Sequence, residues 1–142
     1  MAIKNRRSFM EENQIFQLAL ETSEKIKNVF GERITEPKIV DVVEYLPYQR
    51  FGIRFVAYDY YLIFFNYDRG FCSFSIFVGE RYGASLNGGK SMVGFGEIKD
   101  WDSYLKEIMA EIELHIPDKF LKAKGWYKRR GILQCLKVKW IF

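Results

Sequence analysis

The segment "RFGIRFVAYDYYLIFFNYDRGFCSFSIFV", from Arg50 to Val78, decides the fold of this chain. Phe51, Ile53 and Phe55 alternate with Gly52 and Arg54, the two-residue period of a strand with one buried face. "YLIFF", from Tyr61 to Phe65, is apolar on both faces and belongs in the centre of a sheet. "FCSFSIFV" follows, again rich in aromatic and β-branched residues. The breaks between the three runs, at Tyr58–Tyr60 and Asp68–Gly70, are very short. Such breaks predict hairpins, and hence an antiparallel meander.

Working outward, "KIVDVVEYL", from Lys38 to Leu46, reads as a preceding strand that ends at Pro47 or lies at an edge. "GERYGASLNGG" is the longest glycine-rich stretch and reads as a loop, followed by a short strand at Met92–Phe95. On the N-terminal side, Ser8 and Glu11 form a capping-box pattern, and Ile15, Leu18, Ala19, Thr22, Ile26 and Val29 recur at helical spacing up to Gly31. On the C-terminal side a second helix starts near Asp100 or Asp102. Trp101, Tyr104, Leu105, Ile108, Met109 and Ile112 make its apolar stripe, and Pro117 ends or interrupts it. "PDKFLKAKG" reads as a short third helix stopped by Gly125. The expectation is a two-layer α+β domain over residues 1–142: an N-terminal helix, a meander of four to five strands, then a helix plus a short helix. Residues 127–142 would add a basic C-terminal strand or arm.

Composition fits a chain with a real core: 142 residues, 49% hydrophobic and 18% aromatic. The opening "MAIKNRRSFMEENQ" lacks the apolar core of a signal peptide, and "YYLIFF" is far too short to span a bilayer. A cytoplasmic location with no membrane partner is expected. Cys72 and Cys135 are the only cysteines and sit in no ligand pattern, so reduced, inert thiols are expected. The net charge of +4 hides an asymmetry, because eight of the 22 basic residues follow Asp118 and none of the 18 acids does. The chain before that point is net acidic.

No catalytic motif emerges. Gly89-Lys90-Ser91 lacks the glycine that a P-loop needs five places earlier, where Ala84 stands. His115, the only histidine, falls near the end of the second helix, an ordinary place for a polar residue. One histidine and two scattered cysteines do not make a typical zinc set without carboxylates, so neither cofactor nor metal is expected, and no enzymatic activity. Asp59 and Asp68 suit turns, and Glu107, Glu111 and Glu113 suit a solvated helix face.

Two surfaces carry binding chemistry instead. The aromatic hairpin offers Tyr58, Tyr60, Tyr67 and Arg69, residue types that anchor interfaces, and the acids at its two ends, Asp59 and Asp68, suit a basic partner. The same tyrosines also suit plain cross-strand pairing. The C-terminal run interleaves Lys124, Lys128, Arg129 and Arg130 with Trp126, as a phosphate-tracking, base-stacking surface requires. No RNA- or DNA-recognition signature accompanies it, and a solvated edge strand explains the same lysines.

The stretch from Trp101 to Trp126, a helix rich in Leu and Glu running into "IPDKFLKAKGW", resembles the C-terminal segment of small bacterial immunity proteins of polymorphic and contact-dependent growth inhibition toxin systems. Pro117, Phe120, Leu121, Gly125 and Trp126 would turn and seat the last helix. The resemblance implies a cytoplasmic, non-enzymatic inhibitor that binds one cognate toxin domain and blocks its active site or access to substrate. Asp59, Tyr60, Asp68 and Arg69 are then the candidate toxin-binding residues. The alternative is a small nucleic-acid-binding protein using Lys124, Trp126, Lys128, Arg129 and Arg130.

Overall fold

The computed structural model describes residues 2–77, 83–86 and 92–125; of residues 2–13 it describes the helical backbone. The order is α1 (Ala2–Phe30), β1 (Lys38–Val43), β2 (Arg50–Ala57), β3 (Tyr61–Asp68), β4 (Phe71–Phe77), β5 (Gly83–Ser85), β6 (Val93–Gly94), α2 (Trp101–Leu114) and α3 (Asp118–Ala123). The described strands form one antiparallel sheet in the order β1-β2-β3-β4-β5, with β6 pairing the other end of β4. The architecture is therefore α+β, and β3 stands at its centre, as its two-sided apolar pattern predicts.

Against the expected four or five strands, six are found among the described residues, because Gly83–Ser85, inside the stretch read as a loop, pairs with Ser75–Phe77. The strand expected at Met92–Phe95 shrinks to Val93–Gly94, after which the chain turns into a 3-10 segment, Phe95–Glu97.

One face of the sheet is the core. Phe51, Ile53, Phe55 and Ala57 of β2, Ile63 and Phe65 of β3, and Cys72, Phe74 and Ile76 of β4 are all buried there. Burial of such side chains contributes roughly 1.5–3 kcal/mol each. The antiparallel register sets them side by side, as in Phe51↔Tyr67↔Cys72 and Ile53↔Phe65↔Phe74.

Two helices cover this face. Ile15, Ala19, Thr22, Ile26 and Phe30 give α1 its buried stripe, and Leu105, Ile108 and Ile112 do the same for α2. Helix α1 packs on β1, β2 and α2. Trp101 and Tyr104 at the start of α2 meet Phe65 and Phe74 edge-on or tilted, with ring centroids 6.2 and 6.0 Å apart.

Ser8 does not cap α1. The helix already runs from Ala2, since no glycine or proline interrupts residues 2–30. Gly31, at φ +59, ends it. Asp100 caps α2 by accepting from the Ser103 amide and hydroxyl, and these bonds hold its carboxyl below the usual range. Among the described residues no helix is long and apolar enough to cross a membrane.

Among the described strands β1 is an edge. Its pairing with β2 shifts between Val40 and Val43, and Asp41 sits there at φ +54, a bulge of the kind that bends edge strands away from further pairing.

Candidate functional site

The four residues expected to bind a partner fall at opposite ends of β3. In the β2–β3 turn, Tyr58 and Asp59 take φ of +58 and +53, and the Tyr60 amide donates to Ala57 O at 3.0 Å. Tyr58 is buried and its hydroxyl donates to Glu113. Tyr60 stands edge-on between Tyr61 and Phe120, at 4.6 and 4.7 Å. Asp59 Oδ2 lies 3.7 Å from Lys124 Nζ. A candidate for protein binding thus pairs with a candidate for nucleic-acid binding, which no spacing in the sequence reveals. Trp126, Lys128, Arg129, Arg130 and the arm at 127–142 lie outside the described residues, as does the segment Gly89–Ser91.

At the other end, Arg69 and Gly70 form a two-residue hairpin turn with φ of +51 and +92. Arg69 Nε donates to Asp68 Oδ1 at 2.9 Å, and the Arg69 amide donates to Gln49 O at 2.9 Å. Asp68 is the last residue of the eight-residue strand that follows Tyr60, which puts the two pairs roughly 26 Å apart. The two pairs do not make one compact patch.

The Gln49 contact brings a third element to the Asp68–Arg69 end: the loop from Glu44 to Gln49. Tyr45, Leu46 and Tyr48 are 67%, 64% and 58% exposed, the most exposed large apolar side chains among the described residues. They are nevertheless held. The Tyr48 amide donates to Tyr45 O at 3.0 Å, Gln49 Nε2 donates to Glu44 O at 3.1 Å, and the Tyr45 and Tyr48 rings meet edge-on at 6.1 Å. The Leu46–Pro47 peptide is cis. Glu44 Oε1 accepts from the Phe16 amide of α1 at 3.4 Å, and Phe16 and Leu20 are exposed on that helix. The strand expected to run through Tyr45 and Leu46 is shorter, and β1 stops at Val43. The available signal was an apolar Tyr-Leu-Pro-Tyr where a connection is normally polar.

The face of the sheet opposite the helices also carries a pattern. Register aligns Val43, Arg50, Asp68 and Phe71 across four strands at the end next to this loop. The following rows are Val40, Gly52, Asn66 and Ser73; then Lys38, Arg54, Phe64 and Ser75; then Val56, Leu62 and Phe77. Phe71 is 53% exposed. A methyl group on Gly52 would stand 2.6 Å from Phe64 Cζ, so the Phe64 ring lies down across the glycine toward Val40.

The reactive groups have structural duties. His115 is the C-terminal cap of α2, its backbone amide donating to Ile112 O and its Nδ1 2.8 Å from Glu111 O. Burial pushes the Cys72 thiol up to about 12 and raises the Tyr104 phenol as well. Among the described residues no group of three His, Cys, Asp or Glu side chains stands close enough to hold a metal ion. A shallow open depression beside the first turns of α2 is lined by Val93, Glu97, Ile98 and the capping residues Asp100 and Ser103. Comparison with protein-family models, curated proteins and solved structures finds no match to this chain.

Proposed function

We propose that the chain is a cytoplasmic immunity protein, which binds a cognate bacterial toxin domain and blocks its active site or its access to substrate. The observation that carries this reading is the exposed, hydrogen-bonded Tyr45–Leu46–Tyr48 loop beside the Asp68–Arg69 pair. Tyrosine and arginine dominate interface hot spots, because each couples a large contact area to a polar tip. A pre-ordered loop also loses less entropy on docking than a mobile one. Exposed Phe71 extends the apolar area onto the sheet.

The resemblance of Trp101–Trp126 to immunity proteins supplies the kind of partner. In that stretch Leu121 is buried, Phe120 packs on Tyr60, and Gly125, at φ +76, ends the helical turn. These placements of Phe120, Leu121 and Gly125 support the reading.

The test is capture of partners on the tagged chain from its source cells, after nuclease treatment and a high-salt wash. A stoichiometric partner forming the C-terminal part of a large secreted protein is expected. Its expression alone should arrest growth, and co-expression of this chain should restore it. No protein partner, with nucleic acid recovered once nuclease and salt are left out, sinks the reading.

A further inference from the structure

Lys38 of β1 and Arg54 of β2 are direct cross-strand partners on the face away from the helices, and both are exposed. Like charges placed directly opposite each other destabilise a sheet. Among the described residues neither forms a salt bridge. Arg50, a third exposed cation, lies on the same face about 13 Å along β2. The carboxylate opposite it, Asp68, is already engaged by Arg69. Beside the cations stand Val56, Phe64 and Leu62, the last 39% exposed. Among the described residues this face thus pairs positive charge that no carboxylate neutralises with apolar surface, and the Arg50–Asp68–Phe71 row joins it to the Tyr45–Tyr48 loop.

We infer that this face docks an acidic protein segment, with carboxylates seated between Lys38 and Arg54 and apolar side chains laid on Leu62 and Val56. This inference rests on the reading of the chain as a protein-binding module and names the chemistry of its partner. Charge complementarity selects an anion. The apolar part selects protein over nucleic acid: valine and leucine do not stack on bases, and Phe64 lies against Gly52 instead of standing free as a platform.

The probe is a fluorescein-labelled peptide of alternating Glu and Leu, followed by anisotropy on the whole chain at low and high salt. Lys38→Glu combined with Arg54→Glu should weaken binding at least tenfold, and Lys119→Glu should leave it unchanged. The single variant Lys38→Glu places opposite charges across the strands, so it should raise the melting temperature by roughly 1–3 °C while weakening the peptide. That opposition, with the fold gaining what binding loses, is the signature of a pair kept for a partner.

Absence of peptide binding, or equal loss with Lys119→Glu, overturns the inference. So does tighter binding of oligo-dT with the same dependence on Lys38 and Arg54. A captured toxin domain that holds the double variant as tightly as the wild type overturns it too, and leaves the immunity reading standing. Peptide binding with no toxin captured does the reverse.

Discussion

Tyr58 and Glu113 stand 55 residues apart and meet through one hydrogen bond, the tyrosine hydroxyl donating to Oε2 at 2.5 Å. The bond ties the β2–β3 turn to the end of α2. Tyr58 holds a left-handed backbone that costs a non-glycine residue about 1–2 kcal/mol, and its buried ring keeps it there. Tyr58→Phe retains the ring and removes the donor, so it should lower stability by about 1–3 kcal/mol in urea unfolding. Glu113→Gln should add less than its own full effect on top. Strict additivity of the two would show that the bond is not made in solution.

Gly52→Ala brings a methyl group against the Phe64 ring. In the wild-type background it should destabilise by roughly 1 kcal/mol, through displacement of that ring from Val40. In a Phe64→Ala background the same change should be neutral or stabilising, since alanine suits a strand better than glycine does. Thermal melts of the four proteins decide it; equal effects in both backgrounds refute the contact.

Arg69 is the non-glycine member of a two-residue turn whose positions both need positive φ. Arg69→Asn should stabilise the hairpin by about 0.5–1 kcal/mol. Its pair with Asp68, exposed at the arginine, takes little from that gain. A loss of stability on denaturant unfolding would mean that the side chain holds the turn in some other way.

Burial disfavours the Cys72 thiolate, the form that reacts, so this thiol should be inert in the folded chain. In a Cys135→Ser background, iodoacetamide at pH 8 should label the native chain only at the rate of its opening. The folded thiol keeps its proton up to about 12, whereas an unfolded one loses it near 8.5. The stability this thiol contributes is therefore intact below pH 8.5 and declines as pH rises toward 12. Rapid native labelling would contradict the burial.

On the proposed reading, Leu46→Asp with Tyr48→Ala should weaken binding of the toxin domain at least thirtyfold, the usual scale of a hot-spot loss, at unchanged melting temperature. Asp59→Lys is the discriminating arm. If it abolishes binding and the loop variant does not, the interface belongs to the turn at the opposite end of β3.

The meander was legible because its signals are local: alternation in β2, a two-sided apolar β3, and breaks too short for anything but hairpins. The start of α1 was not, because Ser-x-x-Glu fits a helix interior as well as a cap and nothing in residues 2–7 breaks the helix. Tyr45 and Leu46 misled for a related reason, since an exposed apolar loop and a strand end share a composition. The Lys38–Arg54 apposition was out of reach. It depends on a register set by the Asp41 bulge and a six-residue connection, and neither follows from the residue pattern. The separation of Asp59 from Asp68 was implicit in the hairpins themselves, since successive turns of a meander lie at alternate ends.

The order of the elements also has a consequence during synthesis. Helix α1 is made before the sheet, yet the surface that receives Ile15, Ala19, Ile26 and Phe30 is shared among β1, β2 and α2. At about 5–20 residues per second, β2 is complete roughly 1–5 s after α1, and α2 several seconds later still. For that interval the nascent chain carries an amphipathic helix without the sheet that will cover it. The meander then closes almost at once through its two short turns and gives the waiting helix a floor.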